Sequence, residues 1–322
     1  MTEPDLPRYR DLPRTAEGVG TAWGLFGPDD SLGLMNLLTP AKAAEAVRLA
    51  RTGRVFPLDL PLGFMTPPPF GRGTVRHTTK GSGWTLDSGP SRGLDDKLDD
   101  YFPQSGSQWD SLGHAGYDVD RFWNGRSTDE VRAGANTIDH VAARGIVTRG
   151  VLLDVAEVVA ERGGPGERVE VTVEDLETAR RRAGVEIGAG DILLLHTGFV
   201  DWYAQQPSEV RERLADRTRV TAAGLGHGPE MAEYLWDLHV VAVAGDTLGG
   251  EAFPNTELTG TPFDFMHRVL LGGLGMMLGE LWDTGPLARD CRRDGVHEFL
   301  LMSAPLRIPQ GIGSPANALA VK

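Results

Sequence analysis

Cysteine is nearly absent from this chain. The one residue of that type, Cys291, excludes an internal disulfide framework and a cysteine-based zinc site. Long apolar runs are missing too. No stretch approaches the ~18–20 apolar residues of a membrane-spanning helix. The longest, near 269–281, is broken by Gly272, Gly273, Gly275 and Gly279. The opening residues Met1-Thr2-Glu3-Pro4-Asp5-Leu6 carry no apolar core, so no secretory signal is expected. Basic residues are in deficit: 32 Lys+Arg stand against 45 Asp+Glu, a net charge of −13. An acidic surface repels phosphate backbones, so no nucleic acid is expected as a partner, and no membrane. A reducing, cytoplasmic setting fits these absences.

Glycine, by contrast, is abundant at 42 residues. With a usual share of ~7%, this implies many tight turns and close backbone approaches. Apolar segments recur along the whole chain, which argues against disorder. The patterns predict a helix over 40–51, capped by Thr39, with Pro40 in its first turn and Gly53 as its stop. Residues 55–64 read as an edge strand or extended arm. Residues 66–100 read as a long loop ending in a solvated acidic run, 95–100. Strands are expected at 150–155, 169–171, 191–198, 239–244 and 298–304, with helices at 172–182 and 229–237. A buried helix is expected over 269–282. Gly224, Gly226 and Gly228 read as a turn before the 229–237 helix, and 245–247 as another turn. Strands and helices alternate in the second half, which argues a mixed α/β chain. No repeat or linker divides it, so the expectation is a tail over 1–20 and a single domain over 21–322.

The densest set of potential metal ligands is Gln104-Ser105-Gly106-Ser107-Gln108-Trp109-Asp110-Ser111-Leu112-Gly113-His114. The donors Gln104, Gln108, Asp110 and His114 all fall on even positions. A helix cannot converge them, because at 100° per residue Asp110 lies ~120–160° and His114 ~80–120° from the two glutamines. A straight strand spreads them over about 33 Å. A curved strand–loop remains, and Gly106 and Gly113 would permit it. Asp110 offers an anionic oxygen, His114 a nitrogen, and the glutamines neutral carbonyl oxygens. A polar strand face beside a loop accounts for the same residues.

Other signals are weaker. Gly89-Pro90-Ser91-Arg92-Gly93 matches a Gly-x-Ser-x-Gly string, but no apolar strand precedes it. Gly273-Leu274-Gly275 lacks the third glycine of a dinucleotide fingerprint. His267 and Glu280 flank an apolar stretch, where a buried carboxylate requires a partner or a metal. A capping histidine and a solvent-edge glutamate would explain them equally. His77, His140, His196, His227 and His239 read as structural or surface residues.

The 104–114 stretch resembles the cyclase-like metal-dependent hydrolases, which include bacterial kynurenine formamidase and isatin hydrolase. Their frame is His-x-Gly-Thr-His-x-Asp-x-Pro-x-His; here Gly106, Asp110 and His114 match, and Ser107 replaces Thr. Gln104 and Gln108 replace the leading histidines, and Leu112 replaces Pro. The Gln-x-x-x-Gln version looks like the branch with zinc-dependent trans-dienelactone hydrolase. Trp23-Gly24, Pro28-Asp29-Asp30, Leu37-Leu38-Thr39-Pro40, the run 144–154, 190–194, 243–246 and 313–317 also fit, so the likeness spans about 20–320.

The resemblance implies a swivelling β/β/α fold, a homo-oligomer (dimer or tetramer), and a divalent metal, zinc first and manganese second. Carried over position by position, Gln104, Gln108 and Asp110 are metal positions and His114 the acid/base. His267 and Glu280 match a further His and Glu of the family. The implied activity is hydrolysis of a small carbonyl substrate: a lactone, cyclic amide or formamide. A metal-free binding protein, and a lyase or ring-closing enzyme, are the alternatives. Trp23, Phe70, Arg72 and His77, near the long loop, are candidate substrate contacts.

Overall fold

The structure is a computed structural model that describes residues 6–81, 93–255 and 260–322. Among these, thirteen strands form: β1 Val55–Pro57, β2 Arg76–Gly81, β3 Leu94–Asp99, β4 Gln108–Asp110, β5 Ile146–Asp154, β6 Glu170–Val171, β7 Ile192–His196, β8 Gly224–Leu225, β9 Ala242–Gly245, β10 Met277–Glu280, β11 Glu298–Ser303, β12 Gly313–Pro315 and β13 Ala318–Val321. Nine of them make one mixed sheet in the order β1-β13-β11-β5-β7-β9-β10-β4-β12. Its centre, β5, β7, β9 and β10, is parallel. Parallel centres need cover on both faces and read as continuous apolar runs. Leu152, Leu153, Leu193, Leu194 and Val243 meet that demand and are buried. Antiparallel strands flank the centre on both sides. The chain is thus a mixed α/β single domain, as expected.

The helix Val173–Ala183 starts at a reciprocal cap: Thr172 accepts from the Asp175 amide while Asp175 accepts from the Thr172 amide. The helix Pro229–Asp237 has proline in its first turn and no cap side chain. The first helix is Pro40–Val47, shorter than the sequence suggests, and Gly53 lies beyond its end. Thr39 caps it through the Lys42 amide. Residues 6–20, set apart as a tail, lie along the body. Tyr9 N donates to Asp237 at 2.7 Å, Trp236 Nε1 donates to Pro7 O at 2.8 Å, and Leu6, Tyr9, Leu12 and Val19 enter the core.

Three expectations need correction. Residues 66–100 are not one loop: β2 and β3 pair as an antiparallel hairpin, and the acidic run lies on β3. Its side chains are exposed, so it is solvated as expected, but on a strand. Residues 269–282 are not a helix. They form a π-helical turn, Arg268–Gly273, followed by β10. Gly275, at φ +65°, breaks the path, and the Trp123 ring packs where its side chain would be. The glycines at 224–226 are not only a turn, because Gly224 and Leu225 pair with β6. Of the Gly-x-Ser-x-Gly string at 89–93, residues 89–92 lie outside the described residues. Among the described residues, no helix is long and apolar enough to cross a membrane.

Candidate metal centre

Strand β4 lies between β10 and β12, and register builds the site. Gln108 pairs with Glu280 and Asp110 with Leu278 across β10; Gly313 pairs with Asp110 across β12. Residues two apart on a strand share a face, as do directly opposed residues on antiparallel neighbours. Gln108, Asp110 and Glu280 therefore point to one side. Trp109 points to the other, meets Trp282 edge-on at 4.8 Å between ring centroids, and donates to Ser303 Oγ at 2.9 Å. Ser107, where the family frame has Thr, ties β4 to its surroundings: its Oγ accepts from Leu60 N at 2.8 Å and donates to Leu281 O at 2.5 Å.

After β4 the chain turns. His114 N donates to Ser111 O at 2.9 Å. Gly113 is needed for space, since a Cβ there would sit 2.8 Å from Val131 Cγ1. Gly106 is extended, at φ −149°, and does not supply the curvature. His267 leads into the π-helical turn and crosses the same face.

Asp110, His267 and Glu280 converge, with ligand atoms all within 4.8 Å of one another. All three are buried. His267 Nε2 lies 3.1 Å from Glu280 Oε1 and 3.9 Å from Asp110 Oδ2. Gln108 Nε2 donates to Asp110 Oδ1 at 3.0 Å, and His114 Nδ1 stands 3.8 Å from the same oxygen. Two buried oxygens, Gln108 Oε1 and Asp110 Oδ2, have no hydrogen-bond partner among the described residues. Burial raises the Asp110 pKa, and Glu280 pushes it further, against His114, His267 and Arg72. Burial also raises Glu280, but the bond and charge of His267 hold it below its ordinary value. Burial disfavours a charged His267; Glu251 and Glu280 overcome this and push it up to about 10. Two carboxylates, one of them with an unpaired oxygen, an imidazole and an amide with an unpaired oxygen suit a divalent cation, so the residues fit a metal of the kind that the resemblance implies.

His267 and Glu280 of the centre line a cleft of about 600 Å³, together with Phe70, Arg72, His114, Arg217, Phe253 and Phe265. Phe70 and Phe253 pack at 5.8 Å, Arg72 lies 5.4 Å from the Phe70 ring, and Phe265 stacks on His267 at 4.5 Å. Of the glutamine pair, Gln108 bonds to Asp110, and the side-chain amide of Gln104 lies against Gly313, the β12 residue opposite Asp110. Gln104 is half-buried, and its backbone carbonyl accepts from Arg72. Phe70 and Arg72 line the cleft. Trp23 and His77 do not. Trp23 packs on Tyr117 and donates to Gly272 O at 2.7 Å, while His77 sits on the exposed hairpin 2.6 Å from Asp96 Oδ1.

Several residues here carry no obvious sequence pattern: Glu251, Arg217, Phe253 and Phe265. Glu251 had one usable signal, an acid amid small and apolar neighbours, which needs a partner when buried. His227, read as structural, bonds to it at 2.7 Å.

A family model described as “Putative cyclase” matches residues 68–252, more than half of the chain. Its match ends before His267 and Glu280. A crystal structure titled as a novel cyclase is 30% identical, covers 94% of this chain and 99% of its own, and superposes with a TM-score of 0.82. Isatin hydrolase A from Labrenzia aggregata, bound to benzyl benzoate, is 20% identical over 83% of this chain and 93% of its own, with a TM-score of 0.58. An isatin hydrolase bound to the product analogue thioisatinate is 19% identical over 88% and 98%, with a TM-score of 0.60. The last two likenesses concern the fold. No curated protein matches the chain.

Proposed function

This chain belongs to the cyclase family, and from that premise we propose that it is a metal-dependent hydrolase of a small carbonyl compound: a lactone, a cyclic amide or a formamide. The observation that carries the reading is the buried set Asp110, His267 and Glu280 with the unpaired oxygens Asp110 Oδ2 and Gln108 Oε1, opening on an aromatic cleft. Gln108, Asp110, His267 and Glu280 would hold the ion. A divalent cation there supplies polarisation of the substrate carbonyl and acidification of water, zinc being the first expectation and manganese the second.

The chain's own groups do the rest. His114 faces both the centre and the cleft, so its imidazole takes a proton from the attacking water and returns it to the leaving oxygen or nitrogen. Phe70, Phe253 and Phe265 exclude water from one wall and favour a flat substrate. Arg72 lies close enough to Asp110 and Glu280 to act on both electrostatically, and its charge favours negative charge developing on the substrate. The narrower kinship with trans-dienelactone hydrolase rests on the Gln-x-x-x-Gln frame alone, and lactones are the substrates that it favours. Assembly into a dimer or tetramer, and a cytoplasmic setting, belong to the same proposal.

Elemental analysis after reconstitution, with a chelator-sensitive assay on lactones, cyclic amides and formamides, tests the reading. About one divalent ion per chain or more, and turnover of one class, is the expected result. No bound metal and no turnover of any class would leave a binding protein on the same fold.

A further inference from the structure

Behind His267 runs a second line of buried charge that the hydrolytic reading does not use. Glu251 is 1% exposed. Its Oε1 accepts from His267 Nδ1 at 2.5 Å and His267 N at 3.1 Å. Its Oε2 accepts from Met266 N at 2.8 Å and His227 Nε2 at 2.7 Å. Two acceptances per oxygen fill a carboxylate, so Glu251 has no lone pair left for a metal. His227 turns its other nitrogen, Nδ1, to Glu170 Oε1 at 3.3 Å, and Glu170 pairs with Arg168. The line thus runs from the centre to a partly exposed carboxylate, and none of its members beyond His267 lines the cleft.

The glycines at 224–228 make this line possible. A Cβ at Gly224 would lie 2.4 Å from the Glu251 carbonyl carbon, so only glycine lets the two backbones approach. A Cβ at Gly226 would lie 3.2 Å from Val171 O and 3.6 Å from Glu170 Cβ. His227 stands between Gly226 and Gly228, the latter at φ +117°, and so reaches both glutamates.

We propose that Glu251 and His227 are positioning residues for the metal centre. Glu251 holds the Nδ1 proton of His267 and thereby commits Nε2, on the far side of the ring, to the metal position. His227, with both ring nitrogens on carboxylates, balances the Glu251 charge and fixes its orientation. This rests on the metal-dependent reading above. A carboxylate that orients a ligating histidine typically changes metal affinity 10–100-fold when replaced.

The test is zinc affinity, measured with Zn²⁺ alone by competition against a chromogenic chelator, for wild type, Glu251→Gln and His227→Gln. Circular dichroism establishes that each is folded. The expected result is a 10–100-fold weaker affinity in Glu251→Gln and a smaller loss in His227→Gln. A merely structural role predicts lower melting temperatures and unchanged zinc affinity of the folded protein, which overturns the proposal. If Glu251→Gln does not fold, unchanged affinity in His227→Gln overturns it alone. Histidine-selective ¹⁵N spectroscopy of zinc-loaded wild type gives a reading free of variants: His267 protonated at Nδ1 supports the proposal, and protonation at Nε2 sinks it. Wild type that binds no zinc would instead defeat the hydrolase reading itself.

Discussion

Replacing Asp110 by Asn should move stability in opposite directions with and without a divalent cation. Asp110 is fully buried, its Oδ2 is unpaired, and Glu280 repels its charge. An amide of the same shape removes a charge that burial disfavours most and Glu280 next, at the cost of the attraction of His114, His267 and Arg72. A buried charge costs more than a buried neutral polar group, and its removal should give the metal-free variant roughly 1–2 kcal/mol. Unfolding entropy of ~2.1 cal/mol/K per residue over 322 residues makes 1 kcal/mol worth roughly 1.5 °C. Metal-free Asp110→Asn should then melt ~1.5–3 °C above wild type. Zinc at 100 times its Kd stabilises a binding protein by about 2.7 kcal/mol, or ~4 °C here. The variant lacks the anionic oxygen and should lose most of that shift. Calorimetric melts of both proteins in chelator and in excess zinc measure all four values. A variant that keeps the full zinc shift refutes Asp110 as a ligand. A metal-free variant that melts below wild type refutes the argument from the buried charge.

Other expectations follow from the same geometry. His114→Gln should lower kcat by ~10²–10⁴ with zinc stoichiometry unchanged; loss of zinc in this variant would make His114 a ligand rather than the acid/base. His196 is buried 2.8 Å from Thr284 Oγ1 and 3.2 Å from Asp246 Oδ2. Burial disfavours its charge, but Asp246, helped by Asp154, outweighs this and raises its pKa. A raised folded value makes its stabilisation complete below the unfolded value of ~6.5 and lost as pH climbs through the folded one. The difference in melting temperature between wild type and His196→Gln should therefore shrink above pH ~6.5, and a constant difference would count against the pair. Gly279→Ala places a Cβ 2.6 Å from Ala244 Cβ and 2.9 Å from Trp282 Nε1, which donates to Gln108 O. Overpacking of this kind costs about 1–3 kcal/mol, visible as a lower urea midpoint; an unchanged midpoint would show that β10 can shift away from β9.

Much of the fold was legible where local chemistry is decisive. The Thr172–Asp175 cap, Pro229 and the apolar runs of β5 and β7 need no distant partner to be read. The stretch 269–282 misled because its apolar residues suit a buried helix and a buried strand equally, and periodicity cannot separate these in short runs. The glycines at 272 and 275 were the better guide, since each marks a close approach: Cβ atoms there would meet the Tyr117 backbone and the Trp123 ring. The pairing of 76–81 with 94–99 stayed hidden for the opposite reason. Its strands are exposed and mostly polar, with Leu94 and Leu98 the only large apolar residues, so no sustained alternation marks them.

The centre was half legible, and the division follows from how it is built. Within the 104–114 cluster, even spacing places Gln108 and Asp110 on one strand face, and that needs only the period of two. It does not extend to Gln104, because the turn Pro103–Ser105 lies before the strand begins. The two glutamines therefore differ physically. Gln108 is wholly buried, with an unpaired oxygen, whereas Gln104 is half-buried with its side-chain amide against Gly313. His267 and Glu280 join through register, with Glu280 set opposite Gln108 by pairing between strands about 170 residues apart in sequence. Register across that distance is a tertiary fact, which no spacing within one segment encodes. On the proposed reading, the same pairing would let a weak ligand such as glutamine serve: it faces a carboxylate across the strand gap and bonds to a second on its own strand, so the anionic donors come with it.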